Sequence, residues 1–252
     1  MNKNINNKER TEHFYIYGKH PVFIALKNNR RKFYRIYTSN VTELNRYIQD
    51  NKINVNNKII EYKSNAELSK LFKENVNHQG YVASVSQNRT MTLNDFIKIL
   101  QENEELPRLL ILDQLTDPHN IGAIIRTALA FNVNYIITTK YNSPKDSSII
   151  LKSSAGFSEM INMIEVVNLN NTIQTLKDNG YFVVGLAGEA TDDIKEIKDS
   201  RNLCLVVGSE GNGIRPLVKK NCDGLYKINI NNAVESLNAS VAVAISIYKL
   251  WG

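Results

Sequence analysis

The chain has 252 residues, of which 42% are hydrophobic, and a formal net charge of +6. This length allows one large α/β domain or two smaller ones. Two cysteines argue against a disulfide framework, and the four histidines have no metal-ligand spacing, so no metal site is predicted. The polar N-terminus argues against a secretory leader, and no apolar stretch is long enough to span a bilayer. We therefore expect a cytoplasmic protein without a membrane partner.

The N-terminal part alternates short helices and strands. Residues 1–12 are polar and are predicted to be a disordered tail, and residues 13–88 form the first predicted domain. Ser64 and Glu67 have the spacing of a helix-opening capping box. This alternation is enough for a small α/β sandwich. The predicted elements are helices over 18–28, 42–49 and from 64, and strands over 33–37, 59–62 and 81–85.

Residues 89–107 are predicted to be a short helix and a linker, and the alternation resumes more strongly over 108–252. Apolar strands separated by helices predict a largely parallel sheet covered on both faces. The predicted strands span 108–112, 133–138, 181–185 and 203–207, and the predicted helices span 121–131, 172–179 and 234–250.

The positive charge lies in the N-terminal part. Residues 1–88 hold 15 Lys and Arg against 7 Asp and Glu, whereas residues 89–252 hold 16 against 18. The densest basic stretch interleaves with aromatic residues, a pattern that suits phosphate contact and base stacking. A solvated helix end that runs into a half-buried strand is the alternative, and the stretch alone favours it, but the charge asymmetry favours nucleic acid. The candidate RNA-binding residues are Arg30, Arg31, Lys32 and Arg35.

Polar residues follow the apolar strands of the C-terminal part in three loops, over 113–128, 207–214 and 228–243. Loops at the carboxyl ends of parallel strands are where ligands bind in open α/β folds. In the first loop, Arg126 projects from an otherwise apolar helix and needs a partner, so a salt bridge to Glu210 is the structural alternative to a functional role. The second loop has three glycines around Glu210, and it matches neither a dinucleotide nor a phosphate-loop fingerprint.

The third loop opens the last helix, where Ser236 and Asn238 are candidate helix caps. Together and in this order, the three loops resemble the three sequence motifs of the SpoU family of RNA ribose 2′-O-methyltransferases, within the SPOUT class. Residues 17 to about 88 are similar to the substrate-binding domain of that family, which resembles a ribosomal L30e-type RNA-binding fold. The resemblance implies a C-terminal α/β domain with a trefoil knot, a homodimer, and S-adenosylmethionine bound in the knot.

The resemblance also implies site residues. The catalytic group is Asn120, Arg126, Glu210, Ser236 and Asn238, and the cofactor-lining group is Gly208, Ile228 and Leu237. One departure is visible, because this chain has Ile228-Asn229-Ile230 where the family usually has Ile-Pro-Met. Asn229 lacks the fixed φ of proline.

By resemblance to the family, Arg126 would be the base that removes the proton of the ribose hydroxyl. Arginine side chains stay protonated in proteins, so an electrostatic role at the developing oxyanion is physically easier.

The domain layout most resembles bacterial enzymes that methylate a guanosine of 23S ribosomal RNA at the peptidyl-transferase P loop. A transfer RNA ribose 2′-O-methyltransferase is the alternative within the same class. A catalytically inactive RNA-binding protein is the alternative outside it, although all the polar site residues are present. A Rossmann-type oxidoreductase is disfavoured because the chain has no Gly-x-Gly-x-x-Gly.

Overall fold

A computed structural model describes residues 13–141, 143–144, 146–231 and 233–252. The predicted tail over 1–12 lies outside the described residues. The chain divides into two compact units, one up to Asn88 and one from Arg89. No helix in the described residues is long and apolar enough to cross a membrane.

The N-terminal unit is a four-stranded mixed sheet with three helices. Its elements are β1 (His13–Tyr17), α1 (Lys19–Asn28), β2 (Phe33–Thr38), α2 (Val41–Asp50), β3 (Ile60–Tyr62), α3 (Asn65–Ser69) and β4 (Tyr81–Ser86). The strand order is β1-β4-β2-β3, in which only β2 and β3 run parallel. All six predicted elements are present, and β1 adds an edge strand that was not predicted.

Local sequence signals account for the helices of this unit. The Ser64 side chain accepts a hydrogen bond from the Glu67 backbone N, and the Glu67 carboxylate accepts one from the Ser64 backbone N, so the predicted capping box is confirmed. Helix α1 has Pro21 in its first turn and buries Val22 and Leu26 against the sheet.

The C-terminal unit is built on a seven-stranded sheet. Its strands are β5 (Leu109–Asp113), β6 (Tyr135–Thr139), β7 (Asn162–Val166), β8 (Phe182–Leu186), β9 (Asp192–Asp193), β10 (Leu203–Gly208) and β11 (Gly224–Lys227). Its helices are α4 (Leu93–Glu102), α5 (Pro118–Ala130), α6 (Ser148–Ser153), α7 (Leu169–Asp178), α8 (Pro216–Asn221) and α9 (Ala239–Trp251). The order is β7-β6-β5-β10-β8-β11-β9, and every pairing is parallel, which confirms the predicted parallel sheet.

Alternating side chains of the central strands feed two apolar cores. On β5, Leu110 and Leu112 pack in a cluster with residues of α5 and α9, whereas Leu109 and Ile111 pack in a second cluster with residues of α4 and α7. This alternation is the period of two that a strand buried on both faces requires. The strands therefore read as continuous apolar runs in the sequence.

Helices α4 and α9 differ from the sequence-based expectation in ways that affect the core and the site. Helix α4 lies in the predicted linker, but its Phe96 is fully buried in the second cluster, so it belongs to the core of the C-terminal unit. Helix α9 begins at Ala239 rather than Val234. The apolar residues Val234 and Leu237 suggested an earlier start, but both lie in the loop before the helix and line a cavity.

Candidate active site

The three predicted loops meet at the carboxyl ends of the parallel strands β5, β10 and β11. Gly208, the last residue of β10, pairs with Asp113, the last residue of β5. Helix α5 begins shortly after β5, and the loop before α9 follows β11. Asn120 lies in the first turns of α5, Glu210 follows β10, and Asn238 is the N-cap of α9. The parallel sheet thus places three distant sequence segments at one edge.

A single carboxylate oxygen joins the three loops. Glu210 Oε1 accepts hydrogen bonds from Asn120 Nδ2 at 2.9 Å, from Asn238 Nδ2 at 2.6 Å and from the Ala239 backbone N at 3.2 Å. Asn238 Nδ2 also donates to Asn120 Oδ1 at 3.1 Å. Within the described residues, Glu210 Oε2 accepts no hydrogen bond, so it is available to a ligand.

Arg126 stands apart from this group. Its side chain is exposed, and it makes no hydrogen bond or ion pair with the described part of the chain. The alternative of an Arg126–Glu210 salt bridge is therefore wrong for this structure. Arg126 lies six positions after Asn120, which places the two side chains on different faces of α5.

The expected cap at the start of α9 is present in part. Asn238 Oδ1 accepts a hydrogen bond from the Ser240 backbone N at 3.0 Å, so Asn238 both caps the helix and donates to Glu210. Ser236 does not cap the helix; it is exposed and lines a cavity beside the cluster.

This first cavity has a volume of about 470 Å³. The three predicted cofactor-lining residues Gly208, Ile228 and Leu237 all border it, as do Ser236 and Glu210. The volume lies within the range of roughly 300–1,000 Å³ typical of small-molecule sites.

Glycines shape this cavity in two ways. A Cβ on Gly208 would lie within 2.2 Å of the Gly213 and Ile214 backbone, so Gly208 lets the following loop fold back closely on β10. A Cβ on Gly188 or Gly213 would meet no protein atom within 4 Å, so both residues leave open space at the cavity wall. Apolar walls, glycine gaps and a few polar groups suit a nucleoside-like molecule such as S-adenosylmethionine.

A hydrogen bond holds the turn at which the chain departs from the family pattern. Asn229 Nδ2 donates to Asp193 Oδ2 at 2.5 Å, and Asp193 is only 8% exposed. Asp193 also accepts from the Lys195 backbone N, so its carboxylate is fixed on the β9 side. Sequence reasoning missed Asp193, because nothing in its local sequence marks it as a partner of a residue 36 positions away.

An ion pair between buried Asp113 and half-buried Arg215 supports the second loop. Asp113 is fully buried and accepts from Arg215 Nε at 2.8 Å and from the Arg215 backbone N at 2.9 Å. The pair fixes the end of the loop after β10 to the end of β5, and it satisfies a charge that would be costly to bury alone. The only sequence signal was a carboxylate at the end of an apolar strand.

The predicted RNA-binding residues of the N-terminal unit fall into two groups. Arg31 is 4% exposed, donates from Nη1 to the Ser86 carbonyl at 3.0 Å and lies 5.5 Å from the Phe14 ring centre. Its assignment as an RNA contact is therefore not supported, because the guanidinium packs inside the unit. The other three residues, Arg30, Lys32 and Arg35, are exposed.

Two family descriptions match nearly the whole chain. The SpoU rRNA Methylase family matches residues 107–248, and the domain described as RNA 2′-O ribose methyltransferase substrate binding matches residues 15–91. Both units of the structure are therefore covered by a family match.

Related sequences align over almost their full lengths. A Bacillus subtilis protein named a putative TrmH family tRNA/rRNA methyltransferase is 35% identical over 95% of this chain and 96% of its own. A Vibrio parahaemolyticus protein named a 23S rRNA (guanosine-2′-O-)-methyltransferase is 36% identical over 93% of this chain and 95% of its own.

Solved structures show the same fold. An AdoMet-bound rRNA methyltransferase from Sinorhizobium meliloti has a TM-score of 0.76 at 21% identity, over 95% of this chain and 87% of that one. The SpoU methyltransferase AviRb from Streptomyces viridochromogenes has the same TM-score at 20% identity, over 98% of this chain and 92% of that one. From its matched residues and its near full-length relatives, this chain belongs to the SpoU rRNA Methylase family.

Proposed function

We propose that this protein transfers a methyl group from S-adenosylmethionine to the ribose 2′-hydroxyl of a guanosine in 23S ribosomal RNA. The convergence of Asn120 and Asn238 on one carboxylate oxygen of Glu210, beside the first cavity, carries the proposal. The name of the full-length Vibrio relative supports the choice of RNA and nucleotide. We also propose that the protein acts in the cytoplasm, where ribosomes are assembled.

S-adenosylmethionine, when bound, supplies a methyl group on a sulfonium that an in-line oxygen nucleophile can take. In this chain, Gly208, Ile228 and Leu237 would hold it, because all three line the first cavity. Glu210 Oε2 would accept the hydrogen bond of the ribose hydroxyl and take its proton as the methyl group is transferred, while Asn120 and Asn238 fix the carboxylate through Oε1. Ser236, also on the cavity wall, would complete the polar contacts.

Arg126 would act through its charge. A guanidinium does not lose its proton in proteins, so Arg126 cannot take the hydroxyl proton as a base. Its exposed side chain has no partner in the described residues, and it would pair with an RNA phosphate and stabilise negative charge near the reacting oxygen.

The N-terminal unit would contribute to binding of the RNA substrate. Residues 1–88 carry a net charge of +8 from 15 Lys and Arg against 7 Asp and Glu. Exposed Arg30, Lys32 and Arg35 lie close together in sequence, and Lys32 Nζ lies 5.2 Å from the Tyr34 ring centre. Phosphate contact with an aromatic neighbour fits RNA.

We further propose a homodimer. Val241, Ile245 and Tyr248 of α9 are 46%, 40% and 69% exposed, and their spacing places them on one face of the helix. Such an apolar stripe on a surface helix is typical of an interface. Ile245→Glu is expected to convert the dimer to a monomer in sedimentation equilibrium. A variant that stays dimeric would show that the interface does not include this face of α9. The trefoil knot remains a prediction.

The function is tested by methyl transfer from labelled S-adenosylmethionine to purified 23S ribosomal RNA and to purified transfer RNA from cells that lack the gene. Label on the ribose of one guanosine in 23S ribosomal RNA supports the proposal. Label in transfer RNA alone would favour the alternative substrate, and cofactor binding without any transfer would favour the inactive RNA-binding protein.

A further inference from the structure

A second cavity lies next to the first. It has a volume of about 410 Å³ and shares Ser209, Glu210 and Ala239 with the first cavity. A group-transfer site needs its two reactants side by side, so the neighbour of a cofactor cavity is the natural place for the acceptor. Glu210 borders both cavities, and its Oε2 accepts no hydrogen bond within the described part of the chain.

The charged residues that line the second cavity limit the kind of ligand that can bind there. Among the described residues that line it, the only charged ones are Asp117 and Glu210. Two carboxylates disfavour a phosphate by repulsion, since neither has a basic neighbour on the cavity wall. The remaining polar side chains are neutral, namely Gln114, Thr116, Asn120, Ser209 and Asn212. Amides and hydroxyls of this kind suit the hydrogen-bonding edge of a nucleobase.

Gln114, which lines the second cavity, has an unusual backbone conformation. Its φ is +58°, a left-handed value that costs a non-glycine residue on the order of 1 kcal/mol. The preceding residue, Asp113, is fully buried and bound to Arg215, so the strand end cannot relax. Strain of this sort persists where the surroundings fix it, and such positions cluster at functional sites.

The side chain of Gln114 is unused by the protein. It lines the cavity, and within the described residues its carboxamide makes no hydrogen bond. A carboxamide offers one acceptor and two donor hydrogens in a plane, so it can pair with a base that shows a donor beside an acceptor. The Watson–Crick edge of guanine shows this pattern through O6 and N1–H.

We infer that the second cavity holds the base of the methyl-accepting nucleotide and that Gln114 reads the hydrogen-bonding edge of that base. This inference rests on the proposed function. It makes Gln114 a specificity-determining residue, with the carboxamide oxygen accepting from N1–H and the carboxamide nitrogen donating to O6. The fixed backbone keeps Gln114 at the cavity wall before the RNA arrives.

The test uses the full chain and a transcript of the peptidyl-transferase region of 23S ribosomal RNA with guanosine, inosine or 2-aminopurine riboside at the acceptor position. Wild type is expected to methylate the 2-aminopurine RNA at least ~5-fold more slowly than the guanosine RNA in single turnover, because both O6 and N1–H are lost. Inosine keeps both groups and should react close to the guanosine rate. Gln114→Met should react with all three RNAs at similar, reduced rates.

Matched variants separate base reading from strain. Asn132 has the same φ of +58° just after α5 and is exposed, so Asn132→Met places a methionine in the same left-handed conformation away from the cavity. It should keep the wild-type discrimination. Gln114→Asn tolerates the left-handed conformation but is one methylene shorter, and it should lose discrimination while calorimetry shows normal S-adenosylmethionine binding.

Discrimination retained by Gln114→Met, or lost equally by Asn132→Met, would overturn the inference. So would a wild-type enzyme that does not distinguish guanosine from 2-aminopurine. A wild-type enzyme that binds S-adenosylmethionine but methylates none of these RNAs would overturn the proposed function itself, and this result differs from every outcome above.

Discussion

Asn229 donates a 2.5 Å hydrogen bond from Nδ2 to Oδ2 of Asp193, and this bond ties the turn after β11 to the neighbouring edge strand. In the family pattern that the three loops resemble, a proline stands at this position, and its ring fixes φ. Here the carboxamide and a nearly buried carboxylate restrain the turn from outside the backbone. Because Asn229 borders the first cavity, the bond bears on the cofactor site.

Asn229→Ala is therefore expected to weaken S-adenosylmethionine binding by roughly 5- to 30-fold, the value of one hydrogen bond to a charged group of about 1–2 kcal/mol. In an Asp193→Ala background, the same change should add little, since its partner is already gone. Calorimetry on the four proteins of this cycle measures the coupling. Effects that simply add would show that the bond does not support the cofactor turn.

Asn238 caps α9 and also donates to Glu210, and these two roles can be separated. Asn238→Ser keeps a good cap but cannot span the 2.6 Å bond to Glu210 with its shorter side chain. The unfolding temperature should stay near that of wild type, while the single-turnover rate should fall about 10-fold or more. Asn168→Ser at the N-cap of α7 is the control, because it makes the same exchange away from the site. Normal turnover by Asn238→Ser would show that Asn238 serves only as a helix cap.

Arg126→Ala should lower the turnover rate by ~10²-fold or more, with cofactor binding nearly unchanged, if Arg126 stabilises charge in the transition state. The free energy of unfolding should change by less than about 0.5 kcal/mol, because the exposed side chain has no partner in the described residues. Arg126→Lys should recover little activity, since an ammonium lacks the planar fork of donors. A destabilised Arg126→Ala variant with normal turnover would make the residue a structural one.

The basic residues of the N-terminal unit should differ in their salt dependence. Replacement of exposed Arg30, Lys32 and Arg35 by serine should weaken RNA binding and lower the slope of log affinity against log salt by about 2 to 3. Arg31→Ala should instead lower the unfolding temperature, because Arg31 is buried against Phe14 and the Ser86 carbonyl. Of the four basic residues, Arg31 should have the smallest effect on the slope of log affinity against log salt when it is replaced. Equal slope losses at Arg31 and Arg35 would contradict this division.

Much of the fold could be predicted because its signals are local. The continuous apolar runs of β5 and β10 predicted buried parallel strands, and the Ser64–Glu67 spacing predicted a capping box, each within a few residues of sequence. Short or half-buried elements such as β9 and β11 were missed, since two to four residues give no reliable period. Helix α4 was placed in a linker because its amphipathic pattern shows that one face is buried but not against which core.

The sequence by itself determined which residues lie in loops after strands, and hence the group of candidate site residues. Only the tertiary structure decided their partners: Glu210 bonds Asn120, 90 residues away, and not Arg126. The same holds for Asp113 with Arg215, 102 residues apart, and for the burial of Arg31. Periodicity reports which face of an element is apolar, whereas a polar side chain finds its partner through the order in which strands pair. That order depends on the whole sheet, so no local pattern contains it.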